Sequence, residues 1–487
     1  DYFPGLLMGI PYTFERMIEA HVFRTEGLMG ITTKIVAEIV LGFLVFAGVL
    51  IATGAGQFFI DIANAGFGKY RGGSAKVSVV ASAFFGSLSG SIFSNIAGTG
   101  SITIPTMKKA GYPPHYAGAI EACASTGGVV MPPVMGAIAF VMAITIGVDY
   151  ATIMVAAILP SFLFYFGLLL QVDGYAARKG LVGIAPENLP SARNVMKRGW
   201  PFLIVMIFLV WGLLWMRWEY YAPWYASALM IALSFLQRET MMTPRRLFAT
   251  LRQIGILVTQ TAAIIMPIAF VVSALTITGV TGSMTSGLVA LGGDNVYLII
   301  ALGVLACFIM GMAGLAIVAY IFLAVTLAPA IIEIGGLNTV AVHFFIVYYA
   351  MLSVITPPVG AAAFLAATIA GAKPMKTSFT AMRLGVVIYF VPLFFMFQPA
   401  LVLQGDLTPL IYVLPSIIIG ITLLSGGLEG YLLGVGMVKP MLRLPLAVAG
   451  FAFSFPGLIT TLVAGVASAI LIALVWRDNK RTAEATA

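Results

Sequence analysis

The residues able to do chemistry in this chain are mostly neutral oxygens. Ser87, Ser89, Ser91, Asn95 and Thr99 cluster around Gly90, and Thr126-Gly127-Gly128 precedes the pair Pro132-Pro133. Proline withholds an amide donor and clashes with the turn before it, so carbonyls ahead of Pro132 lose their helical partners. Hydroxyls, an amide and freed carbonyls are ligands for a cation, and the start of the helix after such a break favours an anion. The same vocabulary returns in Gly311-Met312-Ala313-Gly314 and in Thr356 before Pro357-Pro358. Glu121 is the one acidic residue inside an interrupted apolar stretch. A carboxyl there is costly when charged, which makes it a functional candidate. Its place early in its segment also admits a plain polar link to backbone near a membrane boundary. His343 reads as interfacial. Gly86-Ser-Leu-Ser-Gly90 fits neither nucleophile pattern, GxSG nor GxSxG, and no histidine lies in a matching central span, which argues against an intramembrane hydrolase. His21, His115 and His343 are scattered, and Cys123 and Cys307 sit in apolar runs as small core residues. No catalytic residue, metal cluster or cofactor is expected beyond a coupling ion, Na+ or H+.

The elements that hold these residues must lie in lipid. Of 487 residues, 61% are hydrophobic and 9% charged, against about 25% charged in soluble domains. So few charges cannot cover a water-facing surface. Long apolar runs select helices over a barrel, whose strands would alternate. The chain is expected to be an all-α, multi-pass membrane protein. Its net charge of +8 is the Lys/Arg bias of cytoplasmic loops rather than a nucleic-acid surface. Single spans are expected over Ile35 to Ala55, Ala151 to Gln171, Trp200 to Met216, Pro223 to Leu236, Ile254 to Leu275, Ser378 to Phe397 and Pro409 to Gly430. Leu444 to Trp476 should cross twice, turning at Phe455-Pro456-Gly457.

Two regions share landmarks at one offset. Thr53-Gly54 and Thr278-Gly279 lie 225 residues apart, as do Pro132-Pro133 and Pro357-Pro358, while Pro105 and Pro329, and Gly111 and Gly335, lie 224 apart. The chain therefore divides into a linker and interfacial helix (1–34), repeat one (31–148), scaffold helices with cytoplasmic loops (149–253), repeat two (254–371) and C-terminal helices (372–487). Lys69, Arg71, Lys76, Lys108 and Lys109 flank the first interrupted region, whereas the counterpart near Asp294 and Glu333 carries no Lys or Arg. The positive-inside rule then inverts the second repeat. Each repeat is expected to hold a re-entrant hairpin, Val77 to Met107 and Val296 to Ile332, followed by a broken helix, Tyr116 to Ile146 and Val340 to Ile369. Each first-hairpin arm of about 13–15 residues reaches about 20 Å, past the midplane of a core about 30 Å thick. Inverted hairpins argue against a passive channel.

The stretch from Gly86 to Phe140 reads GSLSGSIFSNIAGTGSITIPTMKKAGYPPHYAGAIEACASTGGVVMPPVMGAIAF. It strongly resembles the large membrane subunit of tripartite ATP-independent periplasmic (TRAP) transporters. Ser-Gly-Ser, Ile-Pro-x-Met-Lys, Gly-Tyr-x-Pro and Ala-Ser-Thr-Gly-Gly look most like the TAXI branch. The resemblance implies an elevator-type symporter of a bacterial inner membrane that takes a carboxylate from a periplasmic solute-binding protein, beside a small four-helix membrane subunit or fused domain. It also implies that Ser87 to Asn95 and Gly311 to Gly314 form the hairpin tips, and that Thr126 to Pro133 and Thr356 to Pro358 form the helix breaks. Two positions depart from the family pattern: Gly-Met-Ala-Gly-Leu-Ala stands where a Pro-Thr pair is expected, and Val129 where Gln is common. The tips carry no carboxylate, so a cation there would meet neutral oxygens, which suits Na+. Proton coupling would fall to Glu121.

Overall fold

The computed structural model describes residues 10, 12–24, 27–30, 33–34, 36–293, 295–311, 316–455 and 457–486. Among the described residues, five helices are long and apolar enough to cross a membrane: Val36–Thr53, Tyr150–Lys179, Pro186–Leu214, Leu410–Glu429 and Thr460–Thr482. Three bent helix pairs also qualify, Ala269–Ile277 with Val280–Leu291, Ala316–Thr326 with Ala328–Gly335, and Pro374–Leu384 with Val386–Phe397. The span expected from Pro223 to Leu236 is a 13-residue helix, Ala222–Ser234. At 1.5 Å per residue it covers only about 20 Å, too short for a crossing by itself.

The first interrupted region folds back on itself. Helix Gly73–Ser89 ends at Gly90, whose φ of 59° lies in the left-handed region. Ser91 then caps a new helix, Ile92–Gly98, by accepting from the Ser94 amide at 3.3 Å, and Gly100–Lys109 continues the return. A side chain at position 90 would be strained by that φ and would press against the Met135 carbonyl, 2.5 Å from an added Cβ. The two ends of the hairpin also meet, because a Cβ on Gly72 would lie 2.7 Å from the Tyr112 hydroxyl. Chain that enters and leaves at one place has the shape of a re-entrant hairpin.

A second set of elements follows the same order. Val296–Gly311 leads to Ala316–Thr326 and Ala328–Gly335, and a Cβ on Gly335 would reach Val296 at 2.8 Å, so this loop also closes at its base. Next to the first hairpin comes Pro114–Gly128, then a turn containing Pro132-Pro133, then Ala137–Ile146. The later set holds Thr339–Leu352, a turn containing Pro357-Pro358, and Ala361–Ala370. Both Pro-Pro bonds are cis. Left-handed glycines stand at matching places: Gly54 and Gly279, Gly111 and Gly336, Gly147 and Gly371.

The two broken helices pack in opposite senses. The first half of one, Pro114–Gly128, lies on the second half of the other, Ala361–Ala370, and a Cβ on Gly118 would come 3.2 Å from the Ala366 carbonyl. Ala137–Ile146 lies on Thr339–Leu352. Helix Ile158–Lys179 braces the assembly, touching Gly73–Ser89, Pro114–Gly128, Val386–Phe397 and Leu410–Glu429. A short antiparallel pair, Tyr431–Leu432 with Gly436–Met437, and helices Pro440–Ser454 and Leu458–Thr486 complete the chain.

Candidate ion- and solute-binding site

Glu121 is fully buried in the middle of Pro114–Gly128, and five hydroxyls donate to it. Oε2 accepts from Ser78 at 2.7 Å and Thr103 at 2.6 Å. Oε1 accepts from Ser82 at 2.7 Å, Thr99 at 2.8 Å and Ser125 at 3.2 Å. Three elements supply these groups, and each supplies a pair four residues apart: Ser78 and Ser82 on the outgoing hairpin arm, Thr99 and Thr103 on the returning arm, Glu121 and Ser125 on the broken helix. Residues four apart share one helix face. Close approach of the arms is permitted by glycine, since a Cβ on Gly128 would lie 2.7 Å from the Gly86 Cα. Asn95 joins the cluster, donating from Nδ2 to the Ser82 carbonyl at 2.8 Å, with its Oδ1 2.9 Å from the Thr99 hydroxyl.

This arrangement changes two expectations. Glu121 is not a carboxyl linked to backbone near a boundary; its partners are hairpin hydroxyls, because helix Pro114–Gly128 is clasped by both arms. Nor are Asn95 and Thr99 a separate, carboxylate-free group, since Thr99 contacts Glu121 directly. Ser78, Ser82, Thr103 and Ser125 are not among the residues expected from the sequence, although the three i,i+4 pairs are a signal that could find them. His343 is buried, with its Nδ1 3.0 Å from the Tyr320 hydroxyl.

The remaining candidates are distributed as follows. Ser87 donates to the Phe84 carbonyl at 2.9 Å and Thr126 to the Ala122 carbonyl at 2.7 Å, both within their own helices. Ser89 Oγ is shielded from solvent with no hydrogen-bond partner among the described residues. Gly127 leaves room for the Phe164 ring, 2.2 Å from an added Cβ, and Gly311 for Ser353. Met312 and Gly314 lie outside the described residues. Ser89, Gly90 and Ser91, Pro132 and Pro133, and Thr356 and Pro357 are half-buried, and Pro358 is exposed, so tip and breaks reach a surface that Glu121 does not.

Polar groups in and beside the breaks are already paired, among them the Val130 and Ile355 carbonyls ahead of the proline pairs. Tyr165 donates to the Ala124 carbonyl and Ser161 to that of Val130, both at 2.7 Å, while Tyr150 donates to those of Pro133 and Val134. In the second break Ser378 donates to the Ile355 carbonyl at 2.8 Å, and Thr356 meets the Tyr389 hydroxyl at 2.6 Å. A buried carbonyl left unpaired is expensive, and here neighbouring helices supply the missing donors.

Charge gathers at the base of the first hairpin. Asp173 pairs with Arg71 and with Lys76 at 2.6 Å, and Arg71 also donates to the Tyr431 hydroxyl at 2.9 Å. The hydrogen bond to Asp173 raises the hold of Arg71 on its proton. Glu429, fully buried, takes Arg383 at 3.0 Å, Arg178 at 3.3 Å and the Tyr116 hydroxyl at 3.2 Å.

Apolar spans around hairpins, broken helices and a buried polar cluster define a polytopic α-helical membrane protein of the solute-transporter class. The chain belongs to the DctM component family of tripartite ATP-independent periplasmic transporters, whose model matches residues 6–410. It is 27% identical over 386 residues to the uncharacterized protein y4mL of Sinorhizobium fredii, covering 72% of this chain and 85% of that one. It is 25% identical to the isethionate TRAP transporter permease protein DctMQ of Oleidesulfovibrio alaskensis, over 74% of this chain and 56% of the relative. A shorter match, 32% identical over 173 residues, joins it to the C4-dicarboxylate TRAP transporter large permease protein DctM of Pseudomonas aeruginosa, over 35% of this chain and 38% of the relative. The chain thus spans about half or less of the two relatives whose substrates are named.

Proposed function

We propose that this chain is the transport-carrying subunit of a TAXI-branch secondary transporter in a bacterial inner membrane. It takes up a small organic anion, with a carboxylate as the favoured class, driven by a Na+ or H+ gradient through an elevator movement. Isethionate, C4-dicarboxylates and sialic acid, named for its relatives, are all organic anions. A periplasmic binding protein delivers the solute, and a small four-helix subunit or fused domain completes the frame against which the hairpins move. The half-buried tip and break residues Ser89, Gly90, Ser91, Pro132, Pro133, Thr356 and Pro357, with the exposed Pro358, are the surface offered to the solute.

One observation carries the reading. The first half of one broken helix packs on the second half of the other, which is the arrangement two inverted repeats would adopt about a shared centre. The charge difference between the two hairpin bases points the same way, since Lys and Arg flank only the first. The test is uptake into proteoliposomes holding the transporter with its small subunit and purified binding protein, under separately imposed Na+ and pH gradients. A panel of labelled C4-dicarboxylate, isethionate and sialic acid supplies the solute. Accumulation above equilibrium that needs both the binding protein and one gradient is expected. Downhill equilibration indifferent to either gradient would indicate a passive channel and refute the proposal.

A further inference from the structure

We propose that the buried carboxylate of Glu121 and the hydroxyls around it form a binding site for one monovalent cation, a proton or Na+. This names the coupling-ion site of the transporter proposed above and rests on that reading for its role, although not for its chemistry. The site lies away from the hairpin tip, since Glu121 precedes the break after Gly128 by two helical turns, about 10 Å.

Charge is the first argument. Glu121 is fully buried, and among the described residues no Lys, Arg or His pairs with it. The cations closest in sequence on the two hairpin arms are engaged elsewhere: Lys76 pairs with Asp173 at 2.6 Å, and Lys108 donates to the Ala370 carbonyl at 2.7 Å. Arg383, on the helix Pro374–Leu384 that packs against Pro114–Gly128, is taken by Glu429 at 3.0 Å, and the titratable groups nearest Glu121 along this stretch are neutral ones. Tyr165, on the bracing helix, donates to the Ala124 carbonyl, and Cys123, on the far face, donates to the Ala381 carbonyl at 3.0 Å. Hydroxyls soften the burial of a negative charge but do not cancel it. A bound cation does.

Hydrogen counting is the second argument. The Thr99 hydroxyl oxygen has four oxygens at hydrogen-bond distance: Glu121 Oε1 at 2.8 Å, and Asn95 Oδ1, the Asn95 carbonyl and Ser82 Oγ at 2.9 Å each. Ser82 Oγ is also 2.7 Å from Glu121 Oε1. These five contacts share only the two hydroxyl hydrogens of Ser82 and Thr99. Three of the oxygens, on the carboxylate, the amide and the backbone, can only accept. The cluster is therefore short of positive charge where Glu121, Thr99, Asn95 and Ser82 meet. A proton on Oε1 would donate to Thr99 and free that hydroxyl to serve Asn95. A Na+ ion would do the equivalent work by drawing lone pairs from an all-oxygen set, the ligand type hard cations prefer.

The test needs no solute. Thermal unfolding of the purified full-length transporter is followed with NaCl replaced stepwise by choline chloride at fixed pH, and separately from pH 8 to pH 5 without Na+. Pairing these with pH-difference infrared spectra of the carboxyl stretch reads the proton directly. Bound cation stabilises the folded state. A Na+-dependent rise in Tm that Glu121→Gln abolishes assigns the site to Na+. An acid-dependent rise, with a protonated-carboxyl band that Glu121→Gln removes, assigns it to H+. Either result supports the proposal. If neither cation shifts Tm in the wild type, or if Glu121→Gln leaves the shift intact, the proposal is overturned. Should Glu121→Gln fail to fold, Thr103→Val and Ser125→Ala keep the question open to decision. Each removes one hydroxyl from the carboxylate and should weaken the apparent cation affinity about tenfold, and unchanged affinity in both overturns the site. Failure of gradient-driven uptake with cation binding intact would count against the transport reading alone.

Discussion

Gly128→Ala should damage the proposed cation site without replacing any side chain in it. An alanine Cβ at this position would lie 2.7 Å from the Gly86 Cα and 3.1 Å from the Ser82 carbonyl. Carbon atoms settle at about 3.5–4.0 Å, so the broken helix and the outgoing hairpin arm would have to part by about 1 Å. Both contacts are backbone, and neither can swing away. Ser82 and Glu121 sit on the same two helices, 2.7 Å apart, and a separation of that size carries them beyond about 3.5 Å, where the hydrogen bond is lost. Overpacking costs about 1–3 kcal/mol, and a hydrogen bond to a charged group contributes about 1.5–3 kcal/mol. A total of about 2.5–6 kcal/mol is expected, seen as a fall in Tm of several degrees together with weakened cation dependence of both Tm and uptake. Gly66→Ala is the control, because nothing lies within 4 Å of its added Cβ. It should be neutral or stabilising by up to about 1 kcal/mol. A Gly128→Ala protein with the Tm and cation response of the wild type would refute the view that this glycine contact sets the spacing of the cluster.

Three further outcomes follow from the charges. Glu429 keeps one guanidinium when either partner is lost, so Arg178→Ala or Arg383→Ala should cost about 1 kcal/mol each, while the double variant, stranding a buried carboxylate, should cost about 3–5 kcal/mol and exceed the sum; a double-mutant cycle in thermal unfolding checks this. Asp149 and Arg217 pair at 2.6 Å with more than half of each side chain in solvent, and Asp149→Ala should change stability by about 0–1 kcal/mol in the same assay. Glu219 is half-buried in the loop before Ala222–Ser234, and loss of solvent, with nearby Asp149 adding, raises its carboxyl above the ordinary 4.5 despite the amides of Tyr150 and Ala151. A raised acid holds its proton better when folded, so its contribution to stability is present below 4.5 and disappears as pH rises through the folded value; Glu219→Gln should flatten that part of the Tm–pH curve, and an unchanged slope would contradict the assignment.

Much of the architecture was legible because it is written in large, local signals. The apolar runs and the scarcity of charge demanded helices in lipid. The offset of about 225 residues picked out glycines and prolines whose backbone roles are fixed by geometry: Gly54 and Gly279 are both left-handed, and so are Gly147 and Gly371. The left-handed counterpart of Gly111 is Gly336 rather than the adjacent Gly335 that the offset of 224 picks out. Hydropathy alone could not tell a crossing from a short packed helix. Ala222–Ser234 looked like a span because its neighbours are aromatic and apolar, yet its helix stops at Ser234, whose hydroxyl donates to the Ile231 carbonyl and accepts from the Met242 amide.

The candidate site was half legible, and the hidden half has a physical cause. Reading along the chain found the oxygens near Gly90 and Pro132, because a turn and a break announce themselves through Gly and Pro. Glu121 announced itself by its charge. What no linear reading supplies is that the hairpin doubles back over the helix after it, so that Ser78, Thr103 and Glu121 meet through three elements. Serine and threonine within apolar helices can satisfy their hydroxyls on their own backbone, as Thr126 and Ser87 do here. A hydroxyl pair at i,i+4 therefore looks unremarkable until another helix presents an acceptor to the same face. In this protein two such pairs converge on a third face holding Glu121 and Ser125. The hairpin is thus more than a carrier for its tip: its two arms are the walls of a carboxylate site, and any movement that parts them also unmakes that site. Were a cation to neutralise Glu121 as proposed, it would favour the closed arms, and opening the arms would weaken its grip by the same free energy.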